Sequence, residues 1–307
     1  MSRLKISAIS YLNTAPLMWD FEHAEAPAEL VANYDISYTI PSACAEALRA
    51  GTADIGIIPA AAYTTVPDLV IIPDVAIATR RAVRSILLVG KRRGDPLSEQ
   101  TLSEEPASKE PLSKGPLSRE PLSKEQWLKQ VRTVALDTSS LTSVALVKIL
   151  FAKWLGGARD YAAMAPDLDA MLGACDAALL IGDPALQVDR TRYFTLDLAE
   201  EWVARTGKSF VFAFWAIRQQ ALSGRNGRAI AEVFKKSRDH GLSPKRLEAI
   251  AQEWAPRLGL TVEVIRVYLT HNIHYYLDPP CLEGLELYYR LGAEVGALPP
   301  APELRFA

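Results

Sequence analysis

VALDTSSLTSVALVKILF, residues 134–151, is the stretch on which the fold turns. A short apolar run ends at Asp137, and five of the six positions from Thr138 to Ser143 carry a hydroxyl. A longer apolar run then begins. The first run has the length of a buried strand and the second that of a buried helix, so 134–137 and 141–155 predict a strand–turn–helix unit. Serine and threonine satisfy the free N–H groups of a first helical turn. One cap needs one hydroxyl, however, and the surplus predicts a turn that holds a group with oxygens of its own.

The same alternation extends outward in both directions. KISAIS, DIGIIP, LVIIP and VRSILLVG read as short strands, and PSACAEALRAG as a helix closed by Gly51. DAALLIGDPAL follows as strand and turn, SFVFAFWAI as a long apolar strand, and the chain from Gln219 onward as almost wholly helical. Continuous apolar strands alternating with helices predict an α/β protein with mainly parallel sheets covered on both faces. The segments 83–90 and 209–217 are expected to cross between two lobes. Lobe 1 is then residues 1–88 plus 214–307, lobe 2 is the inserted 89–213, and a ligand cleft lies between them.

From Asp95 the chain reads DPLSE, QTLSE, EPASK, EPLSK, GPLSR, EPLSK, six pentads ending at Lys124. Proline in five of the six excludes a continuous helix, and apolar groups are too few for a core. Residues 95–124 are expected to form a disordered loop inserted in lobe 2.

The bulk composition removes several classes of function. Of 307 residues, 49% are hydrophobic and 23% charged, which suits a globular domain pair. A formal charge of −2 with no basic stripe gives no footprint for nucleic acid. No apolar run approaches the ~20 residues that span a bilayer. Cys44, Cys175 and Cys281 are odd in number and widely spaced, which points to a reduced, cytoplasmic setting. The N-terminus reads as a first strand and not as a leader. His271 and His274 have helical spacing but no evident third ligand, so no metal is expected. Without a paired-carboxylate motif or a Gly-rich phosphate loop, no cofactor is expected either.

Five motifs occur in order: S-Y-L-N-T-x-P-L from Ser10 to Leu17, and P-S-x-x-A-x-x-L-x-x-G-x-x-D-x-x-I-x-P from Pro41 to Pro59. Then come V-x-S-x-x-L from Val83, L-D-x-x-S-x-T-S from Leu136, and I-G-D-x-A-L from Ile181. Together they resemble the chorismate dehydratases of the futalosine route to menaquinone, over nearly the whole chain except the pentads. The resemblance implies a type II periplasmic-binding-protein fold without a signal peptide, a small dianionic substrate, and loss of water to leave an aromatic ring. It points to Asn13 and Ser85 as catalytic, with Ser10 and Tyr11 beside the substrate. The substrate's own side-chain carboxylate is implied as the base.

Asn13 can both donate to a carboxylate and accept from a leaving hydroxyl, although an Asx turn before Pro16 would also suit it. Asp183 follows an apolar strand at the end where open α/β sheets place ligands, and capping of the next turn is its plainer role. In the hydroxyl turn, Ser139, Ser140, Thr142 and Ser143 are the expected substrate-binding residues, with one of Ser139 and Ser140 serving as the helix cap. Thr142 and Ser143 are then left to meet a substrate carboxylate at a helix N-terminus. Two alternatives remain: a cytoplasmic small-anion binding or sensing protein of the same fold, and the sister enzyme acting later in the same pathway. The oligomeric state is open.

Overall fold

The structure, a computed structural model, describes residues 3–23, 28–92 and 123–307. Its strands form two five-stranded sheets. The first contains β1 (Leu4–Ile9), β2 (Tyr34–Thr39), β3 (Ile55–Pro59), β4 (Leu69–Thr79) and β10 (Phe210–Arg218), in the order β2-β1-β3-β10-β4. The second contains β5 (Ile86–Lys91), β6 (Thr133–Asp137), β7 (Asp160–Met164), β8 (Ala177–Ile181) and β9 (Tyr193–Asp197), in the order β7-β6-β8-β5-β9. Each order is the same rule applied twice. A first strand lies between its second and third, and a foreign strand is slotted between the third and fourth.

The foreign strand runs antiparallel to both neighbours: β10 against β3 and β4, and β5 against β8 and β9. The other pairings are parallel. The sheets are therefore mixed and not mainly parallel. A continuous apolar run signals burial on both faces, and it carries no information about direction. β10 is such a run, buried from Phe210 to Ile217, and it lies near the middle of its sheet.

Neither expected crossing strand is shared. β5 lies wholly in the second sheet and β10 wholly in the first, so the chain crosses at residues 80–85 and 207–209. Short turns suffice because no return along a sheet is needed. Helices surround the sheets: α1 (Trp19–Glu22), α2 (Ala28–Asn33), α3 (Pro41–Ala50), α4 (Lys124–Gln130), α5 (Thr142–Lys153), α6 (Leu168–Ala174), α7 (Gly182–Leu186), α8 (Leu198–Thr206), α9 (Gly227–Gly241), α10 (Pro244–Leu258), α11 (Val262–Val267) and α12 (Pro279–Glu294). Among the described residues no helix is long and apolar enough to cross a membrane.

Almost all of the pentad repeat lies outside the described residues. Its last two residues are ordered. Ser123 accepts from the N–H of Gln126 while the Gln126 side chain accepts from the Ser123 N–H. This is a capping box for the helix Lys124–Gln130, so a helix starts within the last pentad.

Candidate functional site

The seam between the sheets is built from the carboxyl ends of β1, β6 and β8, the crossing at 80–85, and one turn from the C-terminal helices. After β1 the chain passes Ser10 and Tyr11 into a 3-10 turn, Leu12–Met18. That turn is held from behind by α9. Ser237 donates from its hydroxyl to the Leu17 carbonyl (2.8 Å) and accepts from the Asp20 N–H (3.1 Å). Gly241 lies so close that an added Cβ would stand 1.9 Å from the Pro16 carbonyl oxygen. The loop carrying Asn13 is thus fixed.

Across the seam, the Leu12 N–H donates to the Asp183 carboxylate, at 3.1 and 3.4 Å to its two oxygens. Burial pushes the Asp183 carboxyl up to about 6, against the lowering effect of that hydrogen bond. Next to it Gly182 has φ +63°, and a Cβ there would meet the Tyr11 ring at 2.8 Å. The bare backbone therefore gives the ring its seat. Burial raises the Tyr11 hydroxyl above the usual phenol range; a hydrogen bond with Ser139 opposes this, and Asp137 and Asp183 add to it. A cavity of about 250 Å³ opens beside Ser10 and Tyr11, bounded by Glu22, Tyr38, Trp254 and Arg257.

Ser85 is fully buried at the end of the first crossing. One carboxylate shapes that crossing. Asp197, also buried, accepts from the N–H groups of Val83 (3.3 Å) and Arg84 (2.6 Å), and it caps α8 through Ala199 and Glu200 (both 3.1 Å). Arg84 sits at φ +66°, a conformation that a non-glycine residue keeps only when its surroundings enforce it. With the chain so bent, Ser85 Oγ accepts from the Tyr268 hydroxyl at 2.9 Å. The Asn13 side chain hydrogen-bonds the same phenol oxygen. Asn13, Ser85 and Tyr268 thereby meet from three distant parts of the chain.

The hydroxyl turn divides its work differently from expectation. Ser140 Oγ accepts from the Ser143 N–H (3.2 Å) and is the cap. Ser139 folds back on Asp137, whose Oδ1 accepts from its N–H (2.8 Å) and its hydroxyl (2.6 Å). Thr142 already has protein partners on both sides of its hydroxyl. Its hydroxyl donates to the Phe212 carbonyl (3.0 Å) and accepts from the Ala61 N–H (3.1 Å), while its own carbonyl accepts from Tyr288 (3.0 Å). It is a strut between the start of α5 and the first sheet, because a buried N–H and carbonyl there need a partner more than any ligand does. Ser143 is 2% exposed. Thr138, the fifth hydroxyl, faces solvent.

Asp137 escaped the sequence reading as a site residue although it heads the motif. Its Oδ2 is buried with no hydrogen-bond partner, and burial raises its carboxyl above the usual range. Tyr268 escaped as well, since it sits within an amphipathic helical pattern. The histidine pair separates: His271 is exposed and bonds Thr270 (2.7 Å). His274 lies with Asp278 and Cys281, the one cluster of possible metal ligands among the described residues. There Asp278 already pairs with Arg80, accepts from His274 Nε2 (2.8 Å) and caps α12 through the Cys281 N–H (3.1 Å). Arg80, His274 and Asp278 thus stand as an ion-pair network.

A family model described as menaquinone biosynthesis matches residues 4–110 and 111–294. A curated relative, chorismate dehydratase from Thermus thermophilus, is 34% identical over 186 residues, or 55% of this chain. The match spans 64% of that relative's length. Among solved structures, the alkanesulfonate-binding protein of Xanthomonas axonopodis pv. citri bound to MOPS superposes with a TM-score of 0.65. It is 15% identical, with 100% of this chain and 99% of that one covered. A Candida albicans gene product described as having the generic periplasmic binding protein fold gives 0.63 at 11% identity, covering 98% and 92%. At such identities the likeness is one of fold: two lobes of the periplasmic-binding-protein kind.

Proposed function

The chain belongs to the menaquinone biosynthesis family, and on that premise we propose that it is a chorismate dehydratase, converting chorismate to 3-(1-carboxyvinyloxy)benzoate and water. The observation that carries this reading is the meeting of Asn13, Ser85 and Tyr268 at the seam, a set of neutral hydrogen-bonding groups. The reaction removes a ring proton and a hydroxide and leaves an aromatic ring. Aromatisation supplies driving force, so the protein's task is to orient the substrate and steady the departing oxygen.

In this reading Ser85 donates its own hydroxyl proton toward the leaving oxygen, since Tyr268 already occupies one of its acceptor positions. Asn13 offers amide groups to the same region. Ser10, Tyr11, Ser139 and Asp183 border the substrate. The enolpyruvyl carboxylate takes the ring proton, which agrees with the absence of a free histidine or lysine among the residues gathered here. Ser140 caps the helix by accepting from the Ser143 N–H, and Thr142 acts as a strut. We place the reaction in the cytoplasm as the first step of the futalosine route. The three free cysteines are at home there.

A second reading has support from the fold, since the superposed Xanthomonas protein is an alkanesulfonate-binding protein. It makes this chain a small-anion binder that does no chemistry. Incubating the protein with chorismate and following the mixture by liquid chromatography and mass spectrometry separates the two. A product lighter by one water supports the dehydratase. Saturable binding of chorismate that is recovered unchanged refutes it.

A further inference from the structure

We infer that Tyr268 is a positioning residue for the reaction: its hydroxyl sets the direction of the hydrogen bonds through which Asn13 and Ser85 act. This rests on the dehydratase reading. The observation beneath it is a local irregularity of the chain.

The helix α11 (Val262–Val267) does not end as an α-helix; it widens into a π turn, Tyr268–Asn272. The bond that closes the turn runs from the Ile273 N–H to the Tyr268 carbonyl, five residues back, at 3.2 Å. Such single wide turns cost helical regularity and are frequent at functional sites. Here the turn grips the first crossing at several points. Tyr268 reaches Ser85 Oγ, and Asn272 Nδ2 donates to the Ala82 carbonyl (2.9 Å). The backbone of His274 then pairs with that of Ala78 in both directions (2.8 and 2.9 Å). The crossing that carries Ser85 is therefore clamped by the segment that carries Tyr268.

Direction follows from inventory. A phenol has one proton and a serine hydroxyl has one. Tyr268 gives its proton to Ser85 Oγ at 2.9 Å, so the Asn13 side chain, which bonds the same phenol, can meet its oxygen only as a donor. Ser85 is then left with an unused proton and only one way to point it, away from Tyr268. Burial holds the phenol well above its ordinary range, so Tyr268 stays protonated at every pH at which the protein works. Without the hydroxyl, Ser85 can rotate and Asn13 loses the acceptor that fixes its amide.

Tyr268→Phe removes one oxygen and leaves the ring. Chorismate turnover by this variant should fall on the order of 10- to 100-fold in kcat, less than the 100- to 1000-fold expected for loss of a direct donor. KM should stay within about twofold, because Tyr268 does not touch the substrate. The discriminating measurement is the cycle with Ser85→Ala. Once Ser85 has no hydroxyl to aim, only the hold on Asn13 is left to lose, so Tyr268→Phe should lower kcat by a clearly smaller factor than it does in the parent background. An equal fold loss in both backgrounds would make Tyr268 a structural residue and overturn the inference, as would an unchanged kcat in the single variant. If the parent protein itself forms no product from chorismate, the dehydratase reading fails and takes the inference with it. That outcome differs from failure of the inference alone.

Discussion

Asp183→Asn tests the electrostatics of the seam. The Asp183 carboxyl is pushed from 3.8 up to about 6 by burial. In the window between those values the folded chain binds a proton that the unfolded chain has released, so stability falls as pH rises through it. Above about pH 6 the full penalty applies; a shift of about two units at ~1.4 kcal/mol per unit gives roughly 3 kcal/mol as an upper figure. Asparagine carries no charge at any pH, and it keeps an oxygen to accept from the Leu12 N–H. At neutral pH the variant should therefore melt higher than the parent, by about 6–12 °C at ~2–4 °C per kcal/mol. Near pH 4.5 most of the penalty has gone, and the gain should shrink to about a third of that. Thermal melts followed by circular dichroism at both pH values check this. A gain independent of pH, or a variant less stable than the parent at neutral pH, would refute the reasoning. Turnover should fall in the same variant, because groups held in unfavourable surroundings are a usual exchange of stability for activity.

Thr142→Val keeps the side-chain shape and removes the strut's hydroxyl, leaving the Ala61 N–H and the Phe212 carbonyl buried without a partner. Stability measured by urea unfolding should drop by about 2–4 kcal/mol while KM for chorismate stays within about twofold; a raised KM at unchanged stability would return Thr142 to the ligand. Gly182→Ala puts a methyl group against the Tyr11 ring and forces a non-glycine residue to positive φ, at about 1–2 kcal/mol. With the ring displaced, kcat/KM should fall by roughly tenfold or more, and an unaltered value would mean that Tyr11 does not border the substrate.

What could be read from the chain, and what could not, follows from the reach of each interaction. The apolar runs located most of the strands because burial leaves its mark residue by residue. They could not say that β5 and β10 run against their neighbours, since both directions bury the same side chains. Asn13, Ser85 and Asp183 drew notice as polar residues next to apolar strands, a local signal, and the structure brings all three to the seam. Tyr268 gave no such signal. It lies 183 residues from Ser85, and the turn that carries it meets the crossing only in the folded chain. The hydroxyls from Thr138 to Ser143 were legible as a group and not individually. Which of them caps, which folds back and which braces depends on Ala61 and Phe212, neither of which the local sequence reveals.

The strand slotted between β3 and β4 also governs how the chain can be made. β4, the apolar LVIIPDVAIAT, is the last strand of its sheet beside β10, and its far side is covered by bridges to His274 and Phe306, which are made later still. Thr79 pairs with Phe210, 131 residues later in synthesis. At ~5–20 residues per second, β4 leaves the ribosome roughly 7–26 s before β10 is complete. For that interval a strand of this composition presents an open edge, the kind of segment that recruits other chains. The second lobe is made in full while the first waits, so a nascent chain halted before residue 210 should be a substrate for chaperones, however well its second lobe has folded.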